Sequence, residues 1–191
     1  MRRALAVLAF AVVIAAVPAA ARADGRLFSV EAPASSMTFH VVHKFHKFDG
    51  TTHDIDGRAK LLPDGAVQAM VRIKVESFDS ANGNRDAHMK ETLDTAKFPY
   101  VEFKGVTAGV KPSTFPWSAS VTLKGVITFH GVQQPKEVPV KVTFANADHA
   151  TVEGSFDFSL ESFKVERPTL LFVPLEDKVD VDFKLELAPA K

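Results

Sequence analysis

Apolar residues recur at every second position through most of this chain, and this period of two is the strongest constraint on its fold. The clearest run lies near the C-terminus, where Val179, Val181, Phe183, Leu185 and Leu187 alternate with charged residues. Successive side chains of a β-strand point to opposite faces, so the period predicts strands with one apolar face. Such one-sided strands are typical of an antiparallel sheet that has one face in water.

About eight such segments follow one another, separated by turn residues such as Pro63-Asp64-Gly65 and Asn146-Ala147-Asp148. Eight antiparallel strands either close into a barrel or stack as a sandwich. Closing the sheet removes its exposed edges, which favours the barrel for strands of this length. We therefore expect an all-β chain built as an antiparallel β-barrel of about eight strands.

One segment departs from the alternation and predicts a short helix. Residues 84–93 are rich in good helix formers, and Asn82 or Asn84 is suited to cap the first turn. Met89 and Leu93 lie four residues apart and would share one helical face. We expect this helix to lie across one mouth of the barrel.

The N-terminus predicts export. Arg2 and Arg3 precede an apolar run from Ala4 to Val17, and Ala21-Arg22-Ala23 fits a signal-peptidase site. The alternative is a membrane anchor, but the run is shorter than the roughly 20 residues of a bilayer crossing. We predict a signal peptide over residues 1–23 and a single domain over residues 24–191.

Composition narrows the class of the mature domain. It carries 20 basic and 23 acidic residues, a net charge of −3, and a nucleic-acid-binding domain would instead be strongly basic. The chain has no cysteine, so its core must stabilise it without disulfides, which suits a Gram-negative periplasm. No nucleophile-elbow, triad, phosphate-loop or paired-carboxylate motif is present, so no enzyme class is indicated and no cofactor is predicted.

Phenylalanine dominates the predicted inward face. The chain has 16 Phe beside one Tyr and one Trp. The Phe residues at inward parity are Phe39, Phe45, Phe103, Phe129, Phe144, Phe156, Phe158 and Phe183. Small inward residues would leave space between these rings, and they are Ala59, Ala69, Ala119, Gly125 and Gly154. A barrel of this size is either filled by side chains or holds one ligand, and both alternatives stay open here.

Polar residues cluster near the predicted helix and the first strands. His40 and His46 share one strand face and His43 takes the other, so a metal site would need a bend between them. We expect His40 and His46 on the surface and His43 pointing inward, hydrogen-bonded near the rim. Arg85 and Asp86 would form a local ion pair, or Arg85 and His88 would border the cavity mouth and meet the polar head of a ligand.

Four segments in order resemble motifs of the YceI-like family, the lipocalin-like polyisoprenoid-binding proteins exported by bacteria. Ser36–His43 contains F-x-V-x-H, and Asn84–Met89 is similar to R-D-x-H-L with Met89 in place of leucine. Lys97–Phe103 resembles a Y/F-P-x-x-x-F pattern, and Gly125–Pro135 resembles G-x-L-T-x-x-G-V-T-x-P. The resemblance covers essentially the whole mature chain and implies a lipocalin-like barrel enclosing an isoprenoid tail. Residues 163–172 depart from the family pattern and would reshape one rim.

The resulting hypothesis is a periplasmic protein that carries or stores a long isoprenoid or quinone-like lipid. The predicted binding residues are Phe39, Val41, His43, Phe45, Arg85, His88, Phe103, Phe129, Phe156, Phe158 and Phe183. Loading would need transient contact with a membrane or a membrane protein, and a tail longer than one barrel would favour a homodimer. The alternatives are a stress or interaction protein with a filled barrel and a histidine-dependent metal binder.

Overall fold

The structure is a computed structural model that describes residues 25–44, 46–170 and 173–190. The predicted signal peptide lies outside the described residues. The helix α1 spans Gly83–Thr92. The strands are β1 (Arg26–Val30), β2 (Ser36–His43), β3 (His46–Thr52), β4 (Ile55–Leu61), β5 (Val67–Lys74), β6 (Tyr100–Thr107), β7 (Trp117–Phe129), β8 (Val132–Phe144), β9 (Ala150–Ser159), β10 (Thr169–Leu170), β11 (Val173–Pro174) and β12 (Lys178–Pro189).

Eight of these strands close into an antiparallel barrel. Their order is β1-β4-β5-β6-β7-β8-β9-β12, and β12 returns to β1 with Leu187 opposite Val30. The predicted all-β, lipocalin-like barrel is confirmed, and the sheet closes instead of stacking as a sandwich. Inward residues of β5, β7, β8, β9 and β12 share the parity that the alternation predicted, because a one-residue shift would turn the apolar face to water.

The strand β12 pairs with β9 along one side and closes the barrel with two different partners along the other. Its last residues pair with β1, while Val179 to Lys184 pair with β2. The strands β1 and β2 are consecutive along the chain and are separated by a 3-10 turn at Ala32–Ala34. The hairpin β2–β3 therefore extends the barrel wall at one end, where Thr51 of β3 pairs with Asp79.

The longest hairpin, β7–β8, is joined by a turn of two residues. His130 and Gly131 both have positive φ, 48° and 73°. Two left-handed residues in succession form a type I′ turn, whose twist matches that of the flanking strands. Thirteen residues on each side then pair in one register, from Trp117 opposite Phe144 to Phe129 opposite Val132.

The predicted helix is present as α1, and it is the single α-helix among the described residues. Its cap is Asn82, whose side chain accepts a hydrogen bond from the Arg85 backbone amide at 3.1 Å. Met89 and Leu93 share one face, as their spacing predicted, and both line the barrel cavity. Of the described residues, none belongs to a helix of the length and apolarity needed to cross a bilayer.

Candidate ligand-binding cavity

The barrel encloses a cavity of about 760 Å³. Ligand pockets of proteins usually measure about 300–1,000 Å³. The wall is formed by alternate residues of the barrel strands, among them Val67, Ala69, Val71 and Ile73 of β5. The filled-barrel alternative predicted a solid core, and the interior instead contains a ligand-sized space.

The structure places ten of the eleven predicted binding residues on the cavity wall. They are Phe39, Val41, His43, Arg85, His88, Phe103, Phe129, Phe156, Phe158 and Phe183. The eleventh, Phe45, lies outside the described residues. The wall of the cavity is therefore predominantly aromatic and aliphatic, and its polar groups come from few segments.

Two of the small inward residues do not create space. An ideal Cβ atom on Gly125 would lie 2.8 Å from the Phe103 ring, and one on Gly154 would lie 2.7 Å from the Phe183 ring. Each phenyl ring therefore rests directly on a glycine backbone, and the prediction that Gly125 and Gly154 leave gaps between rings is wrong. The missing side chain lets each ring approach the glycine backbone closely.

The three alanines that were predicted to leave space in the barrel differ in whether they line the cavity. Ala59 and Ala69 face each other on β4 and β5 and both line the cavity. Ala119 is not part of the wall, although its partner on β8, Val142, is. Space inside this barrel therefore comes from the alanine pair and from rings that are seated on glycine.

The cavity reaches the surface beside α1. Asn82, Asn84 and His88 are exposed and also line the cavity, as does the partly buried Arg85. At the opposite end the wall is mainly apolar and includes the buried Phe28, Leu61 and Phe144, beside the half-buried Thr107. The site therefore has one polar mouth and one closed apolar end.

Arg85 is held in place at this mouth. Its Nε donates to the Ser80 hydroxyl at 2.8 Å, and Nη2 donates to the Ser80 carbonyl. The guanidinium lies over the Phe48 ring, 4.5 Å from the centroid, in a cation–π contact. The carboxylate of Asp86 accepts hydrogen bonds from the Ser80 amide and hydroxyl. The predicted Arg85–Asp86 ion pair is therefore wrong, since both side chains bind Ser80 instead.

His43 is buried inside the same end of the barrel, with 3 % of its surface exposed. Its Nε2 donates to the Val173 carbonyl of β11 at 3.0 Å. The side chain thus ties the β10–β11 hairpin to the barrel wall. An inward, hydrogen-bonded histidine near the rim is what the strand parity predicted.

His40 lies on the outer face of β2, between two carboxylates. Its Nδ1 is 2.7 Å from Asp49 Oδ1, and its Nε2 is 3.0 Å from Asp182 Oδ2. The hydrogen bond that His40 donates to Asp49, together with the negative charges of Asp49 and Asp182, holds the pKa of His40 above its usual value. This histidine links β2 to its neighbours β3 and β12. The predicted surface position of His46 is also observed, at the rim of the mouth.

The histidine-rich segment does not form a metal site in the structure. Among the described residues, no three His, Cys, Asp or Glu side chains approach closely enough to hold a metal ion. His40 binds carboxylates on the outside, while His43 binds a carbonyl inside. The convergence of imidazoles that a metal binder requires is absent from this part of the chain.

Several wall residues were missed by sequence reasoning. Phe48 and Ser80 position Arg85, and Phe28 and Val110 close the far end of the cavity. Ser80 and Val110 lie in segments without a strand period, so no sequence pattern marked them as inward. Phe28 and Phe48 are at inward parity on short strands whose alternation extends over too few residues to stand out.

Comparison with known proteins agrees with this architecture. Residues 28–187 match the model of the YceI-like domain. A UPF0312 protein of Shewanella denitrificans is 26% identical over 161 residues, which cover 78% of this chain and 81% of the relative.

Two solved structures share the fold at low sequence identity. A polyisoprenoid-binding domain of Saccharophagus degradans has a TM-score of 0.71 and 16% identity, covering 85% of this chain and 98% of that domain. BcnA of Burkholderia cenocepacia has a TM-score of 0.66 and 21% identity, covering 82% and 98%. The family match spans most of the chain, so this protein belongs to the YceI-like family.

Proposed function

We propose that this protein carries or stores a long isoprenoid or quinone-like lipid, with the tail inside the barrel. The observation that supports this most directly is the 760 Å³ cavity with an apolar wall and a polar mouth. The likeness to a polyisoprenoid-binding domain of Saccharophagus degradans supports the same class of ligand.

Tail binding would depend on burial more than on directed contacts. Each CH₂ group moved out of water contributes about 0.8 kcal/mol, so a branched hydrocarbon tail needs no polar partner. The rings of Phe103, Phe156 and Phe183 offer broad apolar surfaces without hydrogen-bonding groups. A wall of this kind selects for apolar character and length, and it discriminates poorly between similar tails.

The head group would lie at the mouth, beside α1. Arg85 is fixed by Ser80 and Phe48, so it would meet a ligand oxygen with little loss of side-chain entropy. His88 is exposed on the next turn of the helix, and His43 lies deeper on the wall. We propose Arg85 as the main contact of the head group, with His88 and His43 as secondary contacts.

The cellular setting is part of the same proposal. The N-terminal sequence supports export and cleavage, which would leave the mature protein in the periplasm. Loading would then occur by transient contact with a membrane or a membrane protein. A homodimer would shelter a tail that extends beyond one barrel. The protein would bind its ligand without chemical conversion.

The test is to identify what the protein contains when it is purified from its native periplasm. The mature protein is extracted with organic solvent, and the extract and the intact protein are analysed by mass spectrometry. We expect one isoprenoid or quinone-like lipid at close to one per barrel, on a chain that begins at Asp24. A clean extract that stays clean after candidate lipids are added back would overturn the proposal.

A further inference from the structure

The end of the cavity opposite α1 is closed by side chains from three parts of the chain. Phe28 of β1 and Phe144 of β8 meet edge to face, with ring centroids 5.8 Å apart. Val110 enters from the β6–β7 loop and is 3 % exposed, and its backbone amide bonds the Gly65 carbonyl at 3.0 Å. We call Phe28, Phe144 and Val110 the end wall.

The end wall is braced from outside. The Arg26 guanidinium lies 5.5 Å from the Phe28 ring centroid and 5.7 Å from that of Phe144. Its Nη1 also donates to the Ala147 carbonyl at 2.6 Å, in the β8–β9 turn. Trp117 packs against Phe144 with 6.0 Å between ring centroids. A charged group on the outer side makes this end unfavourable for an emerging hydrocarbon chain.

The distance from the mouth to the end wall limits the chain that fits. Inward residues of β12 line the cavity from Val179 to Leu187, eight residue steps, or about 26 Å along the strand. Because barrel strands are tilted by about 35–45°, the axial length is roughly 20 Å. An extended covalent chain advances about 1.2 Å per bond, so an isoprene unit of four bonds takes about 5 Å.

We propose that the end wall sets the maximum tail length, at about four extended isoprene units, and that Phe28 is the principal residue of this limit. The inference rests on the proposed function. For a tail that enters extended, units beyond this limit gain nothing at the closed end, because they stay in water at the mouth.

The test changes the cavity length in both directions. Phe28→Ala removes the ring at the end wall and lengthens the cavity. Ala69→Leu shortens it, because Ala69 lines the cavity and pairs with Ala59, which itself lies opposite Phe28. The matched control is Leu27→Ala, which truncates the exposed neighbour of Phe28 on the outer face.

Affinities are measured for farnesol, geranylgeraniol and solanesol, in order of increasing length, by displacement of a fluorescent fatty acid. Trp117 supplies a second readout, since it is the one Trp of the chain and contacts the end wall. A tail that reaches the wall should change its emission, whereas a shorter tail should leave it unchanged. If Phe28 only stabilised the fold, the Trp117 emission would not depend on the length of the bound tail.

In the wild type we expect affinity to rise from farnesol to geranylgeraniol and then to level off at solanesol. Phe28→Ala should bind solanesol about tenfold more tightly than the wild type does, because more of its tail is buried. Ala69→Leu should lose affinity for geranylgeraniol and keep that for farnesol, and Leu27→Ala should match the wild type. If Phe28→Ala fails to fold, the shift in Ala69→Leu decides the question.

Two results overturn the inference in distinguishable ways. If the wild type binds the isoprenols but neither cavity variant changes the order of affinities, the end wall does not limit the length of the bound tail. The proposed function then stands. If the wild type binds none of them, and its native extract is also clean, the proposed function fails and the inference fails with it.

Discussion

At the scale of single residues, phenylalanine and glycine together shape the interior. The Phe39 ring occupies the space that a Cβ of Gly50 would need, and Phe103 and Phe183 rest on glycines in the same way. A ring that is seated on bare backbone occupies the wall and not the centre of the barrel. The aromatic content therefore makes the cavity apolar without filling it.

Arg85 is the residue on which the proposed head-group contact depends. A hydrogen bond to a charged group contributes about 1.5–3 kcal/mol, so Arg85→Met should weaken geranylgeraniol binding about tenfold or more. Binding of the hydrocarbon squalene should change little, because it has no head group. The matched control is Arg72→Met, on the outer face, where Arg72 pairs with Asp56 at 3.0 Å. Equal losses for both ligands would contradict the assignment and indicate a structural role.

His40 should make the stability of the barrel depend on pH. Its pKa is raised in the folded state by the Asp49 hydrogen bond and by the charges of Asp49 and Asp182. Because the folded state favours protonated His40, the contribution of His40 to the free energy of unfolding is complete below the unfolded-state pKa of about 6.5. This contribution disappears as pH rises through the folded-state pKa. The effect is small because the imidazole is 36 % exposed.

The measurement is urea unfolding of the wild type and His40→Gln at pH 5 and at pH 9. The variant should lose stability relative to the wild type at pH 5 and approach it at pH 9. His149→Gln, an exposed histidine of the β8–β9 turn, is the matched control. A difference between wild type and His40→Gln that is the same at both pH values would refute the assignment.

At the scale of elements, the wall contains a long stretch between β8 and β9 in which the two strands do not pair. These strands pair only from Val140 to Phe144 on β8, while Val132 to Pro139 are paired with β7 alone. Pro135 and Pro139 have no N–H to donate, which accounts for the missing ladder. Two side-chain contacts span the gap: Lys136 with Asp157 at 3.3 Å, and Gln134 with the Ser162 carbonyl at 2.9 Å.

We call residues 132–139 of β8, which do not pair with β9, the seam. The seam should be visible in hydrogen exchange. Amides of residues 132–139 should exchange roughly tenfold faster than those of 124–128, which corresponds to about 1.4 kcal/mol of opening free energy. Residues 124–128 of β7 lie opposite this part of β8 and are paired with both β6 and β8. They therefore serve as an internal control at the same level of the barrel. Equal protection of the two segments, measured by mass spectrometry, would show that the seam is closed in solution.

At the scale of the whole molecule, an apolar cavity should link stability to ligand occupancy. A ligand at 100 times its Kd adds about 2.7 kcal/mol to the free energy of unfolding. For a domain of this size we therefore expect bound geranylgeraniol to raise Tm by about 5–10 °C above the delipidated protein. The measurement is calorimetry of delipidated protein before and after reloading. A Tm that is unchanged at saturating ligand would argue against binding in the cavity.

Much of the site was predictable because strand parity is a local property of the chain. Once Phe156 and Phe158 alternate with polar residues, both must face the core or both must face water, and burial decides for the core. The helix was predictable for a similar reason, since its cap and its Met89–Leu93 face lie within one short segment. Ser80 and Val110 were not, because they face the cavity from irregular segments whose direction depends on distant contacts.

Alternation and local sequence signals predicted an all-β fold, the inward face of the long strands, the position of the helix and an aromatic interior. The tertiary structure alone decided which rings are seated on glycines of other strands, that Arg85 and Asp86 bind Ser80 instead of each other, and which end of the barrel is closed. The physical reason is the range of the interactions. Alternation acts between neighbouring residues, whereas the end wall joins Phe28, Val110 and Phe144, which meet only when the barrel closes.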